Sequence, residues 1–388
     1  MGTRQHTVRC PIQRVTQGPF FHFFGYYDKS PWDATGRYLL ALRVAFMDRP
    51  PTPQDMAVAG MVDLEEGCRW RPLAETVAWY WQQGTMLQWL PSAPDREIVF
   101  NTRTRRGYGA TILDVRTGAS RFLPRPVYAL ASNGRDAVTL NFSRVHRTRP
   151  GYGYVGVPDP WADELAPAQD GIYHLDVTSG TSRLIVSLAQ VASIEPEASM
   201  EGAVHWFNHL QFNPAGTRFI FLHRWRREGP WRTRLFTANA DGSEIALLAR
   251  EHMVSHFDWR DDGRILAWSR HDGADHYHLY EDRSGRAQVV GADVLQRDGH
   301  CSYSPDRRWI LTDSYPDPER SERTLILYRP ETGVRVDVGR FYSAPQIGGE
   351  IRCDLHPRWS RDGKQVCIDS IHEGERQVYV VDVSGVVG

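Results

Sequence analysis

Four histidines, His209, His256, His300 and His356, occupy one repeated phrase in this 388-residue chain. Each is followed three residues on by an aromatic side chain (Phe212, Trp259, Tyr303, Trp359) and four later by glycine or arginine (Gly216, Gly263, Arg307, Gly363). An apolar run follows every copy, at 219–222, 265–268, 309–311 and 366–368. Histidine changes charge near neutral pH and is a common metal ligand, so four at equivalent positions point to a metal site, a general base, or both. The competing reading is a position that tolerates a polar residue bonded to its neighbour. That reading suffices for one histidine; four in register favour chemistry.

Each phrase builds a strand, an Asp-Gly-type turn and a second strand. Weaker copies lie upstream, around Trp32 and Gly36, around Met86 and Trp89, and between Val127 and Gly134. Seven units at a spacing of about forty to sixty residues match the period of a propeller blade. The expected fold is all-β: a single seven-bladed β-propeller over 1–388, with four-stranded blades starting near 26, 86, 127, 209, 256, 300 and 356. The last unit shows only three strands, so a strand read at 7–16 is expected to complete it and close the ring. In blade one, strands are expected at 38–46, Ala57–Asp63 and 75–79. The Pro/Gly/Tyr-rich stretch 146–170 is too long for an ordinary connection, so it is an inserted functional lid or a disordered segment. Helical turns are expected only at 187–193 and 293–297.

If each innermost strand begins at its histidine, one face of the ring collects His209, His256, His300 and His356 nearest the axis. Behind them come Arg103, Arg144, His146, His223, Arg224, Arg234, Arg270, His271, Asp313, Tyr315 and His372. A net charge of −1 makes any attraction for acidic ligands a matter of local placement. No apolar stretch is long enough to span a membrane, and neither a membrane nor a nucleic-acid partner is expected. The first residues lack the apolar core of a secretion signal, which with five scattered cysteines suggests a cytoplasmic protein, or a periplasmic or secreted one if a signal was removed. No Gly-x-Ser-x-Gly elbow is present, and Asn141-Phe-Ser falls within an expected strand.

From 208 to 243, at Ser255–His256, around His300 and from His356 onward, the sequence resembles oligogalacturonate lyases and related ulvan-lyase-like propeller enzymes. The resemblance implies a metal-assisted β-elimination on uronic-acid-containing oligosaccharides or polysaccharides. It makes His256 the base, Arg234 its partner, and His209, His300 and His356 ligands of a divalent metal ion (Mn, Zn or Ca). Several imidazoles favour a transition metal over calcium. The family's Gln-x-x-His-x-His ligand run corresponds here to 351–356, where glutamine and one histidine are missing and Asp354 stands in. Tyr152 or Tyr154 is a candidate for protonating the leaving oxygen, and Arg144, His146, His223, Arg224 and Arg270 for holding the acidic substrate. Two rivals remain: a TolB-like propeller binding a protein or an acidic glycan, and a glycoside hydrolase drawing on Asp28, Asp258, Asp313 and Asp354.

Overall fold

The computed structural model describes residues 4–388. Seven antiparallel four-stranded sheets are arranged as a β-propeller. Blade seven is completed from the N-terminus: Ile12–Arg14 pairs antiparallel with Gln377–Asp382 as its outer strand. The closure foreseen from the sequence is therefore present. A second feature was not foreseen. Arg4–Thr7 lies parallel to Val334–Tyr342, giving blade six a fifth strand. Two adjacent blades are thus tied by one short N-terminal segment, which removes two exposed strand edges.

The repeated phrase encodes its turn through side chains. Ser360 Oγ donates to Asp362 at 2.6 Å and accepts from the Gln365 amide at 2.9 Å. Ser304 and Asp306 repeat this arrangement, and Asn213 accepts from the Thr217 and Arg218 amides. At Gly216 and Gly363 the closing position takes a left-handed backbone, with φ of 70° and 72°. Arg307 adopts φ 64° in the same place, a conformation disfavoured for a residue with a Cβ. The aromatic and apolar positions pack between blades. Leu222, Leu235, Phe257, Trp259 and Ile265 fill the layer between blades four and five.

Three expectations about strands need correction. In blades four and five the inner strands start upstream of the histidines, at Val204 and Val254. His209 and His256 sit where the ladder skips, between Asn208 and Gln211 and between Val254 and Phe257. Such bulges re-aim side chains. In blade one the outer strand is Arg69–Thr76, not 75–79. Trp79 and Trp81 are buried core residues whose indoles donate to the Asp55 and Arg49 carbonyls, so their apolar signal marks packing rather than a strand.

The stretch after blade three's second strand is ordered. Asn141 caps a helix, Phe142–Thr148, that the sequence pattern had suggested was strand. Tyr152 and Tyr154 are buried against this segment. A further short helix, Leu188–Ala192, falls within the expected 187–193 turn. Among the described residues no helix is long and apolar enough to cross a membrane.

Candidate functional site

The four histidines converge on one tyrosine. Tyr26 stacks on His209, with ring centroids 4.7 Å apart and planes 8° from parallel. Its edge meets His356 at 5.0 Å, His300 at 6.0 Å and His256 at 6.5 Å. His256 and His300 are 4.1 Å apart by ring centroid, and His300 and His356 are 4.4 Å apart. All four imidazoles are buried. His209 and His356 carry positive φ angles of 53° and 42°, backbone strain of the kind that collects at functional sites.

Their partners divide them into roles. His300 Nδ1 lies 2.9 and 3.0 Å from the two carboxylate oxygens of Asp313. His300 Nε2 is buried without a partner, as is His356 Nε2. With a carboxylate oxygen of Asp354, these nitrogens form a group whose donor atoms all lie within 4.8 Å of one another. A carboxylate behind a histidine that leaves the far nitrogen free is the usual support for a metal ligand. Two buried orphan imidazole nitrogens facing a carboxylate therefore fit a divalent cation. Asp354 also pairs with Arg352 and Arg323, both at 2.7 Å. Burial would raise its carboxyl pKa, but those guanidiniums outweigh it and hold Asp354 well below the ordinary range. The carboxylate is thus anionic and available.

His256 is arranged differently. Its Nδ1 is 2.9 Å from Asp298 and 3.1 Å from Ser255 Oγ, while Nε2 makes no hydrogen bond to a described residue. Burial lowers its pKa and the Asp298 charge pulls it back up, so the ring is a neutral base at neutral pH. Burial likewise holds His356 neutral.

His209 does not join the metal group. Its Nε2 is 3.2 Å from the Tyr26 hydroxyl, and its Nδ1 faces Gln83 at 3.3 Å and Tyr128 at 3.4 Å. Both nitrogens are engaged, which corrects the expectation that it is a ligand. Arg234 does not reach His256 either. Its guanidinium donates to the Ile194 and Glu195 carbonyls at 3.0 Å and approaches His223 Nδ1 at 3.3 Å. Its role is to fasten the 191–195 segment.

Several other candidates make their contacts away from the four histidines. His223 Nε2 is 2.8 Å from His205 Nδ1, deep in blade four. Arg144 donates to the carbonyls of His205, Trp161, Glu164 and Leu165, pinning the insert. Arg270 is exposed and paired with Asp275, and His146 is half-buried beside Tyr80. Arg103 bonds the Pro53 and Val155 carbonyls. Asp258 accepts from Gln211 and the Tyr303 amide, and Asp28 pairs with Lys29. Asp313 is committed to His300.

Tyr152 and Arg224 both lie near Tyr26. The Tyr152 oxygen accepts from Arg352 at 2.7 Å and from Arg149 at 3.5 Å. Burial would raise the phenol's pKa, but the two guanidiniums outweigh it and lower the value. The Tyr152 ring stands 6.1 Å from Tyr26 and 5.5 Å from His209. Sequence reasoning passed over Asp298, Arg149, Arg323, Arg352 and Tyr26. Of these, Asp298 and Arg352 could have been flagged, since they lie two residues before His300 and Asp354.

No protein-family model matches the sequence, and no curated protein matches it. Among solved structures, the chain is similar to an oligogalacturonate lyase in complex with manganese, with a TM-score of 0.69 at 17% identity, covering 98% of this chain and 95% of that one. An oligogalacturonate lyase from Vibrio parahaemolyticus gives a TM-score of 0.67 at 13% identity, covering 96% and 94%. The propeller domain of the trilobed protease from Pyrococcus furiosus gives 0.53 at 12% identity, covering 95% of each. At these identities the likeness establishes the fold: over nearly its whole length, this chain has the seven-bladed architecture of an oligogalacturonate lyase.

Proposed function

We propose that the protein is a lyase that cleaves acidic oligosaccharides or polysaccharides by β-elimination next to a uronate. The observation that carries this reading is the pairing of two unlike histidine arrangements within 4.1 Å. One is the His300, His356 and Asp354 group with its orphan nitrogens. The other is His256, oriented by Asp298 with its Nε2 free. The full-length likeness to oligogalacturonate lyases, one of them holding manganese, supports the same reading.

Elimination removes a weakly acidic proton from the carbon that bears the carboxylate, and negative charge builds on that carboxylate. A divalent cation held by His300, His356 and Asp354 would supply charge neutralisation there, an effect of several kcal/mol in comparable sites. His256 Nε2 takes the proton while Asp298 stabilises the resulting imidazolium. A positioned base of this kind contributes roughly 10²–10⁴ in rate. Tyr152 is suited to protonate the leaving oxygen: its own oxygen accepts from Arg352, so its hydrogen is free to point outward. Two nitrogens and one oxygen favour manganese or zinc over calcium.

The test is to incubate the purified protein with a panel of uronic-acid oligosaccharides and follow the ultraviolet absorbance of the unsaturated product, with and without EDTA. A rising signal that EDTA suppresses is the expected result. A signal indifferent to chelation would remove the cation from the mechanism, and silence across the panel would count against the lyase.

A further inference from the structure

Seven arginines are buried among the described residues, and six have an evident counterpart. Arg144, Arg218, Arg323 and Arg358 each face a carboxylate. Arg234 and Arg376 donate to backbone carbonyls. Arg224 has neither. It is 5% exposed, and its Nε and Nη1 are buried with no hydrogen-bond partner.

Its surroundings worsen the imbalance. Burial and the like charge of Arg149 lower the Arg224 pKa, and the Tyr152, Tyr26 and Tyr128 hydroxyls act against that. Trp231 lies under both guanidiniums, 4.3 Å from Arg149 and 5.7 Å from Arg224. Arg149 comes from the insert and has its own Nε buried without a partner. Burying an unpaired charge beside a like charge is costly, so a fold that keeps such a pair does so for an external anion. The planar fork of arginine suits the paired oxygens of a carboxylate or a sulfate.

We propose that Arg224 and Arg149 form a second anion-binding site, separate from the histidine–aspartate group. It takes an acidic group, carboxylate or sulfate ester, on the sugar adjoining the one that reacts. Tyr152 and Tyr26 stand between the two sites, so a ligand that fills both must carry two acidic groups. The naming of a neighbouring sugar rests on the lyase reading; the anion site itself does not. Trp231 is half-buried beneath both arginines.

Arg224→Met tests this without any assay of catalysis. Removing an unpaired buried charge leaves the ligand-free melting temperature equal or higher, so failure to fold is not the expected difficulty. Inorganic sulfate at constant ionic strength is the first probe. It should raise the melting temperature of the parent protein and leave that of Arg224→Met unmoved. Equal sulfate responses in the two proteins, or none in the parent, would overturn the proposal. Two disaccharides then separate the sources of the group: a uronic acid dimer, and a uronic acid joined to an O-sulfated neutral sugar. Arg224→Met should lose at least about tenfold in calorimetric affinity for one of them, as expected when a charged partner is removed. Unchanged affinity for both would also overturn it.

Discussion

The two sides of the propeller mouth use the same residue types to opposite ends. On the blade-four side, His205, His223 and Arg234 form a closed chain of contacts, at 2.8 Å between the histidines and 3.3 Å from His223 to the arginine. Arg234 Nη1 donates to the Ile194 and Glu195 carbonyls. On the side of blades five to seven, His256 and His300 each give one nitrogen to a carboxylate and keep the other free of protein partners. Burial is similar on both sides. What separates His223 from His256 and His300 is whether an imidazole nitrogen is left over after the local hydrogen bonds are made.

Substitutions can break this contrast. His256→Ala should show the largest effect, a loss of roughly 10²–10⁴ in kcat with the metal retained, measured by product absorbance beside metal analysis. A variant that keeps full activity would remove His256 from the base position.

Asp298→Asn should cost less, about 10–100-fold, as for other groups that orient a histidine. Its pH profile gives the sharper readout. The base must be neutral, so activity rises with pH through the His256 pKa, which burial holds below its usual value while Asp298 raises it. Removing that charge lowers the pKa further, so the acid limb moves to lower pH even as the plateau falls. A limb that stays in place would show that Asp298 does not face the titrating group.

Arg234→Met belongs to the other side and should behave accordingly. It removes the hydrogen bonds to the Ile194 and Glu195 carbonyls, a destabilisation on the order of 1 kcal/mol for each bond lost, visible as a lowered melting temperature. Its proton-transfer step should be untouched. If it instead abolished turnover in a protein that melts normally, the partnership with His256 implied by sequence resemblance would be restored.

Much of the fold was legible in the chain. The aromatic anchor and the Ser-x-Asp or Asn turn recur because each blade needs the same packing contact and the same side-chain-bonded turn. Ring closure was legible because the last blade lacked a strand. The site was legible as a set of histidines but not as a set of roles. His209 and His300 occupy equivalent repeat positions, yet Gln83, Tyr128 and Tyr26 engage both nitrogens of one, while Asp313 leaves a nitrogen of the other free. Gln83, Tyr128 and Tyr26 come from blades other than that of His209, and repeat spacing says nothing about them. Arg224 and Arg234 show the same limit. Both lie at the mouth-side ends of blade-four strands, paired one residue apart across the ladder, and only packing reveals that Arg234 reaches two backbone carbonyls while Arg224 has no hydrogen-bond partner among the described residues. The insert was recognised by its length, but its helix was hidden by a short segment that also reads as strand.

The central claim is that the metal belongs to blades six and seven, not to the axial histidines as a group. Metal content measured on the parent protein, His300→Ala and His209→Ala after identical loading with manganese tests it most directly. The parent and His209→Ala should retain a stoichiometric ion, and His300→Ala should lose it. Retention by His300→Ala together with loss from His209→Ala would contradict the assignment.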